Sequence, residues 1–505
     1  MSDSEPQSTS PTTTSGGASR GDLPPKYIPA DVEPAITQTW DAAHAYHAEA
    51  TDGGDPFAIC IPPPNVTAAL HLGHALNNTL QDVLVRHARM TGKNAVWLPG
   101  TDHAGIATQS VVDKRLQATG QKALKDYKLQ EATSGGGREA FIAKVTDWKD
   151  EYEARITQQL KDMGCSCDWQ RQAFTMDEPR ANAVREAFFQ LFKDGLIYRG
   201  KRLVNWDPVT QTALADDEVE MEEIDGHFYY MKYPIVKPGD GIAGTPTDQP
   251  DAWVETGEYA TVATTRPETM LGDTAVAVNE NDAPRAKFIG QFVKLPIVGR
   301  IIPIIADDYV VIPDQDSDDS KARMASGFLK VTPAHDPNDY DIGQRHTPQP
   351  LPIINVMAPD ASISITHGWP AEENPEQNET LKPFVGLSRE DARKAIVRWF
   401  KENDLLHEMK PYRHAVGHSY RSHVPVEPYY SDQWYLKVTD DKLKGAALRA
   451  MDESQRQPSE DPSFSGRSQI APSATGLKFT PERYAKTFQT WHENIRDWCI
   501  SRQLW

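Results

Sequence analysis

The stretch Phe57-Ala58-Ile59-Cys60-Ile61-Pro62-Pro63-Pro64-Asn65-Val66-Thr67-Ala68-Ala69-Leu70-His71-Leu72-Gly73-His74 decides how the chain is read. Its first five residues form an apolar strand, and three prolines then stiffen the backbone. Leu72, Leu76, Leu80 and Leu84 recur at helical spacing, so the pattern predicts an amphipathic helix. A strand, a stiff turn and a helix start make the layout of a nucleotide site. The first helical turn exposes unpaired N–H groups and the positive end of the helix dipole, where phosphate is favoured. His71 and His74 share one face of that turn. Gly73 between them has no side chain, so a flat ring or a phosphate can approach the backbone closely. Two histidines at this spacing also occur as surface residues or metal ligands, and the pair alone leaves those readings open.

Outward from this stretch, strands and helices alternate. Ala95 to Gly100 reads as a buried strand, and a helix follows Thr101-Asp102-His103-Ala104-Gly105. Arg138 to Leu160 carries Trp148, Tyr152, Ile156 and Leu160 at helical steps, and Ala181 to Leu196 reads as a further helix. This order predicts an α/β fold with a doubly wound, Rossmann-like sheet. The texture changes near Glu223, and Glu255 to Val356 holds many short β-branched runs broken by Gly, Pro and Asp, as in a separate, β-rich domain inserted into the first. The acidic run from Asp314 to Asp319 predicts a solvated loop. The expected organisation is a disordered tail over 1–25, a first catalytic half over 26–222, an inserted domain over 223–410, and a return to the catalytic domain over 411–505.

Composition bounds the function classes. With 505 residues the chain exceeds one domain by the usual size prior, and 39% hydrophobic with 25% charged residues is ordinary for a soluble protein. No apolar run is long enough to span a membrane, and the N-terminus lacks an apolar signal core, so a cytoplasmic location is expected. Four cysteines make no disulfide framework; Cys165 and Cys167 read as ordinary thiols rather than half a zinc site. The net charge of −19 argues against a general nucleic-acid coat protein, while leaving room for local basic patches.

Pro62-Pro63-Pro64-Asn65-Val66-Thr67 followed by His71-Leu72-Gly73-His74 resembles the first signature of class I aminoacyl-tRNA synthetases, in the form found in the valyl family. The resemblance runs from about Tyr27 to Trp505. It implies a Rossmann-like class I catalytic domain with an inserted β-rich editing domain. It also implies ATP-dependent activation of valine and transfer to tRNA(Val). The expected partners are valine, tRNA(Val) and ATP with Mg2+ as substrate, with no prosthetic group, no resident metal and a monomeric chain. By family position, His71, Gly73, His74 and Asn77 would contact ATP, with the histidines donating to the charge that builds at phosphorus. Asn77 and Gln81 lie on the same helix face. Asp102 would hold the valine ammonium, although Asp102 or Thr101 could equally cap the next helix. Pro63, Pro64, Asn65, Trp434, Ile495 and Trp498 match positions around the aliphatic pocket, with Asn494 beside them; either tryptophan could instead be ordinary core.

A pocket sized for valine cannot strongly reject threonine, which has nearly the same shape, so a second hydrolytic site is expected. Thr264-Thr265-Arg266-Pro267-Glu268-Thr269-Met270-Leu271-Gly272-Asp273 and Lys330-Val331-Thr332-Pro333-Ala334-His335-Asp336-Pro337-Asn338-Asp339-Tyr340 resemble the editing motifs of the same family. The resemblance implies editing roles for Arg266, Thr269, Lys330, Thr332, Asp336 and Asp339. Arg266, Lys330 and Thr332 would hold the tRNA 3′ end. Asp336 would take the ammonium of the attached amino acid, and Asp339 would read the threonine hydroxyl. Catalysis is accordingly expected of His71, His74, Lys330 and Asp336. Asp and Asn in such a loop also shape turns and caps, a reading that stays open for His335 and Asn338. One run departs from the family: Ala325-Ser326-Gly327-Phe328-Leu329 precedes Lys330, and its bulk would change the pocket's shape. The family's second signature, of the Lys-Met-Ser-Lys-Ser type, does not occur in this sequence. The chain is therefore expected to be the N-terminal part of such an enzyme. A free-standing aminoacyl-tRNA deacylase, a non-catalytic tRNA-binding module and an isoleucine–tRNA ligase are the alternatives.

Overall fold

A computed structural model describes residues 26–239, 252–370, 373, 375–459, 461–462 and 476–505. The segment expected to be a disordered tail, 1–25, lies outside the described residues. The chain divides into two compact units, one ending at Ala183 and the other starting at Val184.

In the first unit, β1 (Pro56–Cys60) and β2 (Asn94–Leu98) pair in parallel, with Phe57 opposite Ala95 and Ile59 opposite Trp97. A parallel pair needs a crossover, and the Leu72–Met90 helix supplies it. β3 (Gly100–Thr101) pairs in parallel with β4 (Ala173–Phe174). The core between strands and helices gathers Ile61, Val85, Ala88, Ala95, Trp97, Ile156, Leu160, Cys165 and Cys167. Both cysteines are buried, and burial pushes the Cys165 thiol up to about 12, so they pack as small apolar groups. The α/β character expected of this region is present.

The apolar stripe on the Leu72–Met90 helix lies elsewhere than its spacing suggests. Leu72, Leu76, Leu80 and Leu84 are each more than half exposed, whereas Asn78, Val85 and Ala88 are buried. Trp97 Nε1 donates to Gln81 Oε1 at 3.2 Å, so a polar residue on the inner face is matched to a core indole. Helical periodicity marks the stripes on a helix; which stripe is covered depends on the neighbours.

Among the described residues the second unit holds two sheets. In chain order its strands are β5 (Ile197–Asp207), β6 (Thr212–Leu214), β7 (Val219–Pro238), β8 (Trp253–Thr264), β9 (Ala275–Val278), β10 (Phe292–Lys294), β11 (Ile301–Ala306), β12 (Leu329–Val331), β13 (Leu406–Ser419), β14 (Glu427–Leu436) and β15 (Trp498–Cys499). A four-stranded sheet runs β15-β14-β5-β6, and the strands between β6 and β14 in sequence make a seven-stranded sheet of their own. The latter runs β12-β9-β11-β10-β7-β13, with β8 also on β7, and is antiparallel except where β11 meets β9. Its core centres on Met231, Tyr233, Ile235, Met270, Leu271, Val276 and Phe400. β7 and β13 pair from Val219–Ser419 to Met231–Leu406, so the expected borders at 222/223 and 410/411 fall inside one ribbon. The exposed acidic residues 314–319 form a loop whose last member, Asp319, caps the Ser320–Met324 helix.

Gly272 shows how tightly this sheet packs. A Cβ there would stand 2.7 Å from the Ile354 carbonyl oxygen and 3.3 Å from Thr332 Cγ2. Gly272→Ala should therefore cost about 1–3 kcal/mol through overpacking. A urea titration would register this as a lower midpoint with an unchanged slope; an unchanged midpoint would refute it.

Candidate functional sites

The Pro62–Thr67 turn in the first unit is pinned by the long Gly137–Asp162 helix. Trp148 Nε1 donates to the Val66 carbonyl at 3.0 Å, and Gln159 Oε1 accepts from the Leu70 N–H at 2.9 Å. Pro64 and Val66 are buried, leaving Pro63 and Asn65 exposed. The turn is also tied to Asp102: the Asp102 N–H donates to the Pro64 carbonyl at 2.8 Å, and the Val66 N–H to the Asp102 carbonyl at 3.0 Å. Pro63, Pro64, Asn65 and Asp102 thus come together.

The carboxylate of Asp102 accepts from Thr175 Oγ1 at 2.9 Å and from the Ala104 N–H at 3.3 Å, and stays about one-third exposed (29%). It does not cap the next helix. The residue before Ile106–Ala118 is Gly105, with no side-chain cap, reached through left-handed Ala104 (φ 49°) and Gly105 (φ 43°). The capping reading of Asp102 and Thr101 is thereby removed, and the carboxylate remains at a strand end, where α/β sheets bind ligands.

His71 is itself the N-cap. Its Nδ1 accepts from the Gly73 N–H at 3.1 Å, and the His71 N–H donates to His74 Nδ1 at 3.3 Å. The rings lie 4.0 Å apart. A Cβ on Gly73 would come within 2.9 Å of the His71 ring, so this close ring position requires glycine. Burial, and secondly the neighbouring His71, lower the pKa of His74. With both Nδ1 atoms accepting, each neutral ring carries its proton on Nε2 and can donate it. Asn77 is exposed on the following turn.

In the second unit, Trp434 on β14 packs edge-on against Phe188 and Phe192, 5.6 and 6.4 Å between centroids, and its backbone N–H donates to Ser501 Oγ at 2.7 Å. Ile495 and Trp498 line a cavity of about 1130 Å³ together with Asn494, Trp491 and Tyr340; Trp434 is not among its lining residues. Trp498 is half exposed rather than core.

The Thr264–Asp273 and Lys330–Tyr340 motifs converge within the seven-stranded sheet. β12 lies antiparallel to β9, which places Lys330 opposite Val276. Lys330 is buried, with Nζ bonded to Thr332 Oγ1 and 3.2 Å from Asp273 Oδ1. Asp273 also accepts from Thr332 Oγ1 at 2.6 Å and from the Tyr233 hydroxyl at 2.8 Å. Burial raises its pKa against the pull of Lys330. Asp339 is buried and accepts from the Thr332 N–H at 2.8 Å. Burial, then the nearby Asp336 charge, pushes Asp339 up to about 8, so it is largely a neutral carboxyl at pH 7.

Asp336 caps the Pro337–Arg345 helix. Oδ1 accepts from the N–H groups of Asn338 at 2.8 Å and Asp339 at 3.2 Å; both bonds go to that one oxygen. The capping reading is thus present beside the functional one, and Asn338 contributes through its backbone. Thr269 is buried with its hydroxyl donated to the Arg266 carbonyl at 3.0 Å. The departure before Lys330 does not crowd this group: Phe328 turns into the main core against Phe288, 5.9 Å between centroids.

Arg266 differs from its expected role in what it touches. Its guanidinium donates to Glu268 at 3.1 Å, to the His335 carbonyl at 3.2 Å, and to both Glu427 oxygens at 2.7 Å. Asp273 and Glu427 escaped the sequence reading. Asp273 stands in the quoted motif without a role, and Glu427 lies 161 residues from Arg266 with no local signal.

Among the described residues, one trio has metal-ligand spacing, Glu220, Glu222 and His423 within 4.8 Å of one another, all exposed. No described helix is long and apolar enough to cross a membrane.

The family described as tRNA synthetases class I (I, L, M and V) matches residues 35–505, and the chain belongs to it. Among named relatives, it is 44% identical over 484 residues to the valine–tRNA ligase of Caulobacter vibrioides, covering 95% of this chain and 47% of that one. It is 43% identical over 485 residues to the valine–tRNA ligase of Brucella suis (95% and 47%), and 43% over 484 residues to that of Halalkalibacterium halodurans (96% and 46%). The chain spans about half the length of the curated relatives it matches. A solved LeuRS–tRNA–LeuAMS complex of Agrobacterium radiobacter K84 aligns over 77% of this chain and 48% of its own at TM-score 0.33 and 16% identity, too distant to inform the site.

Proposed function

We propose that this chain carries two sites of a valine–tRNA ligase: the valine-activating nucleotide site, and within the insertion expected over 223–410 a hydrolytic site that removes threonine from tRNA(Val). The observation that carries the reading is the pair Asp336–Asp339 at one helix start, one carboxylate half-buried and the other buried beside Lys330, Thr332 and Asp273. A charged carboxylate suits an ammonium, and a neutral buried carboxyl suits a hydroxyl. Water adds its oxygen to the ester carbonyl carbon, the bond to the ribose oxygen breaks, and that oxygen takes the proton. No covalent enzyme intermediate is required.

In the nucleotide site, the donors are Nε2–H of His71 and His74 and the first-turn backbone N–H groups other than that of Gly73, which His71 Nδ1 already accepts. These nitrogen donors would not ligate Mg2+; as part of the ATP substrate it would supply positive charge at the phosphates. Asp102 takes the valine ammonium, with Pro63, Pro64 and Asn65 beside it in the first unit; Trp434, Ile495 and Trp498 of the second unit are assigned to the valine side chain by family position alone. Arg266, Lys330 and Thr332 belong to the site that receives the tRNA 3′ end. The reading implies a cytoplasmic monomer whose partners are valine, ATP and tRNA(Val).

Hydrolysis of threonyl-tRNA(Val), measured beside valine-dependent ATP–pyrophosphate exchange, tests both halves. Exchange with isoleucine in place of valine, or no hydrolysis, would reject the corresponding half. His74→Ala should lower exchange about a hundredfold, the scale of losing one preorganised donor. It should cost no more than about 1–2 kcal/mol of stability, as for a cap. Exchange at the unsubstituted rate would remove His74 from the site.

A further inference from the structure

We infer that Glu427 is a positioning residue of the hydrolytic site, holding the Asp336 loop in place through Arg266 and His335. This inference rests on the hydrolytic function proposed above. Glu427 is the first residue of β14 and pairs with Trp206 of β5, so it belongs to the four-stranded sheet and not to the one that bears the site. Its side chain nevertheless reaches the Lys330–Tyr340 motif and is 1% exposed.

Three groups meet on this one carboxylate. Arg266 donates to both oxygens at 2.7 Å, Arg389 to Oε2 at 3.2 Å, and the His335 ring faces Oε1 at 3.4 Å. Against the penalty of burial, Arg266 and then His335 hold Glu427 at about 2, so it is a full anion at any working pH. His335 is completely buried, and its Nε2 accepts from the Val356 N–H at 3.0 Å. The ring therefore keeps its proton on Nδ1, the nitrogen turned toward Glu427. Burial lowers its pKa, so the ring is neutral.

The chain of contacts closes on the site. Arg266 also donates to the His335 carbonyl at 3.2 Å, so the residue before Asp336 is held through its backbone, while its ring nitrogen faces Glu427 at 3.4 Å without a hydrogen bond. Glu268, completely buried, takes Arg266 at 3.1 Å and Arg393 at 2.8 Å, fixing the other side of the guanidinium. A buried carboxylate shared by two guanidiniums is costly to desolvate and is a poor source of stability by itself. What the arrangement supplies is a single geometry for the loop that presents Asp336 and Asp339. A fork as rigid as arginine's suits that task, and lysine could not span the same acceptors.

The test measures steady-state hydrolysis of threonyl-tRNA(Val) by the chain, by Glu427→Gln, by Arg266→Lys and by the double variant, with circular dichroism as the folding control. Glu427→Gln should lower kcat about tenfold or more with KM changed by less than about twofold, the pattern of a lost transition-state geometry. Arg266→Lys keeps a charge beside Glu427 but loses the reach to the His335 carbonyl, so its kcat should fall as in Glu427→Gln; its KM is free to rise as well, because Arg266 also belongs to the tRNA 3′-end site. The double variant should fall no further than the worse single, since both act through one loop. In ¹⁵N-histidine spectra the Nδ1-protonated signal of His335 should shift in Glu427→Gln. A folded Glu427→Gln with unchanged kcat, or a loss confined to KM, overturns the inference. If Glu427→Gln does not fold, Arg266→Lys decides by kcat alone: a folded variant with unchanged kcat overturns the inference. An inert unsubstituted chain overturns the hydrolytic function and this inference with it; an active chain indifferent to both substitutions overturns this inference alone.

Discussion

Asp336→Ala should lower hydrolysis of threonyl-tRNA(Val) about a hundredfold, because a charge-assisted hydrogen bond to the substrate ammonium carries up to about 3 kcal/mol. The same substitution also removes a helix cap, worth about 1 kcal/mol of stability. Asp336→Asn separates the two effects. Its amide oxygen can keep the bonds to the Asn338 and Asp339 N–H groups while the negative charge is lost. Hydrolysis should therefore fall in both variants, and the melting temperature chiefly in Asp336→Ala. An Asp336→Asn chain that hydrolyses at the original rate would show that the cap is the whole contribution of Asp336.

Asp339→Asn should stabilise the chain at pH 8 and leave it nearly unchanged at pH 4. The sign follows from proton binding. The folded carboxyl titrates near 8, raised by burial and by Asp336, while an unfolded aspartate titrates near 3.9. Between those values the folded state holds the proton and the unfolded state has released it, so stability falls as pH rises from about 4 to about 8. At about 1.4 kcal/mol per pH unit the loss is on the order of a few kcal/mol. Asparagine is neutral throughout and can still accept from the Thr332 N–H, so that loss disappears. Melting curves from pH 4 to 8 should diverge steadily between the two chains; parallel curves would mean that Asp339 is ionised in the fold. The neutral amide should also retain most of the threonyl hydrolysis at pH 7, where an apolar Asp339→Leu should lose it.

Much of this site was legible in the chain. Phe57 to His74 announces a strand, a stiff turn and a helix, because each step is set by local sterics and by hydrogen bonds a few residues apart. The Thr264–Asp273 and Lys330–Tyr340 motifs were legible for a related reason: their chemistry is concentrated in short runs. Other features were not. The leucines of the Leu72–Met90 helix repeat at the right period, yet the covered face is that of Asn78, Val85 and Ala88. The texture change near Glu223 reports hydrophobicity, whereas the β7–β13 ribbon is set by a ladder running from Val219 to Ser419.

By itself, then, the sequence determined the α/β class, the strand–turn–helix order from Phe57 to His74, the β-rich texture after Glu223 and the residue types available for chemistry, all of which follow from neighbours along the chain. Tertiary structure alone decided which of those residues meet. It turned Asp102 away from the helix cap, gathered Lys330, Thr332, Asp273 and Tyr233 around one buried charge, and brought Glu427 to Arg266 across 161 residues. Burial and charge pairing are properties of the folded surroundings, so neither the raised pKa of Asp339 nor the lowered one of Glu427 could be read before the chain was folded.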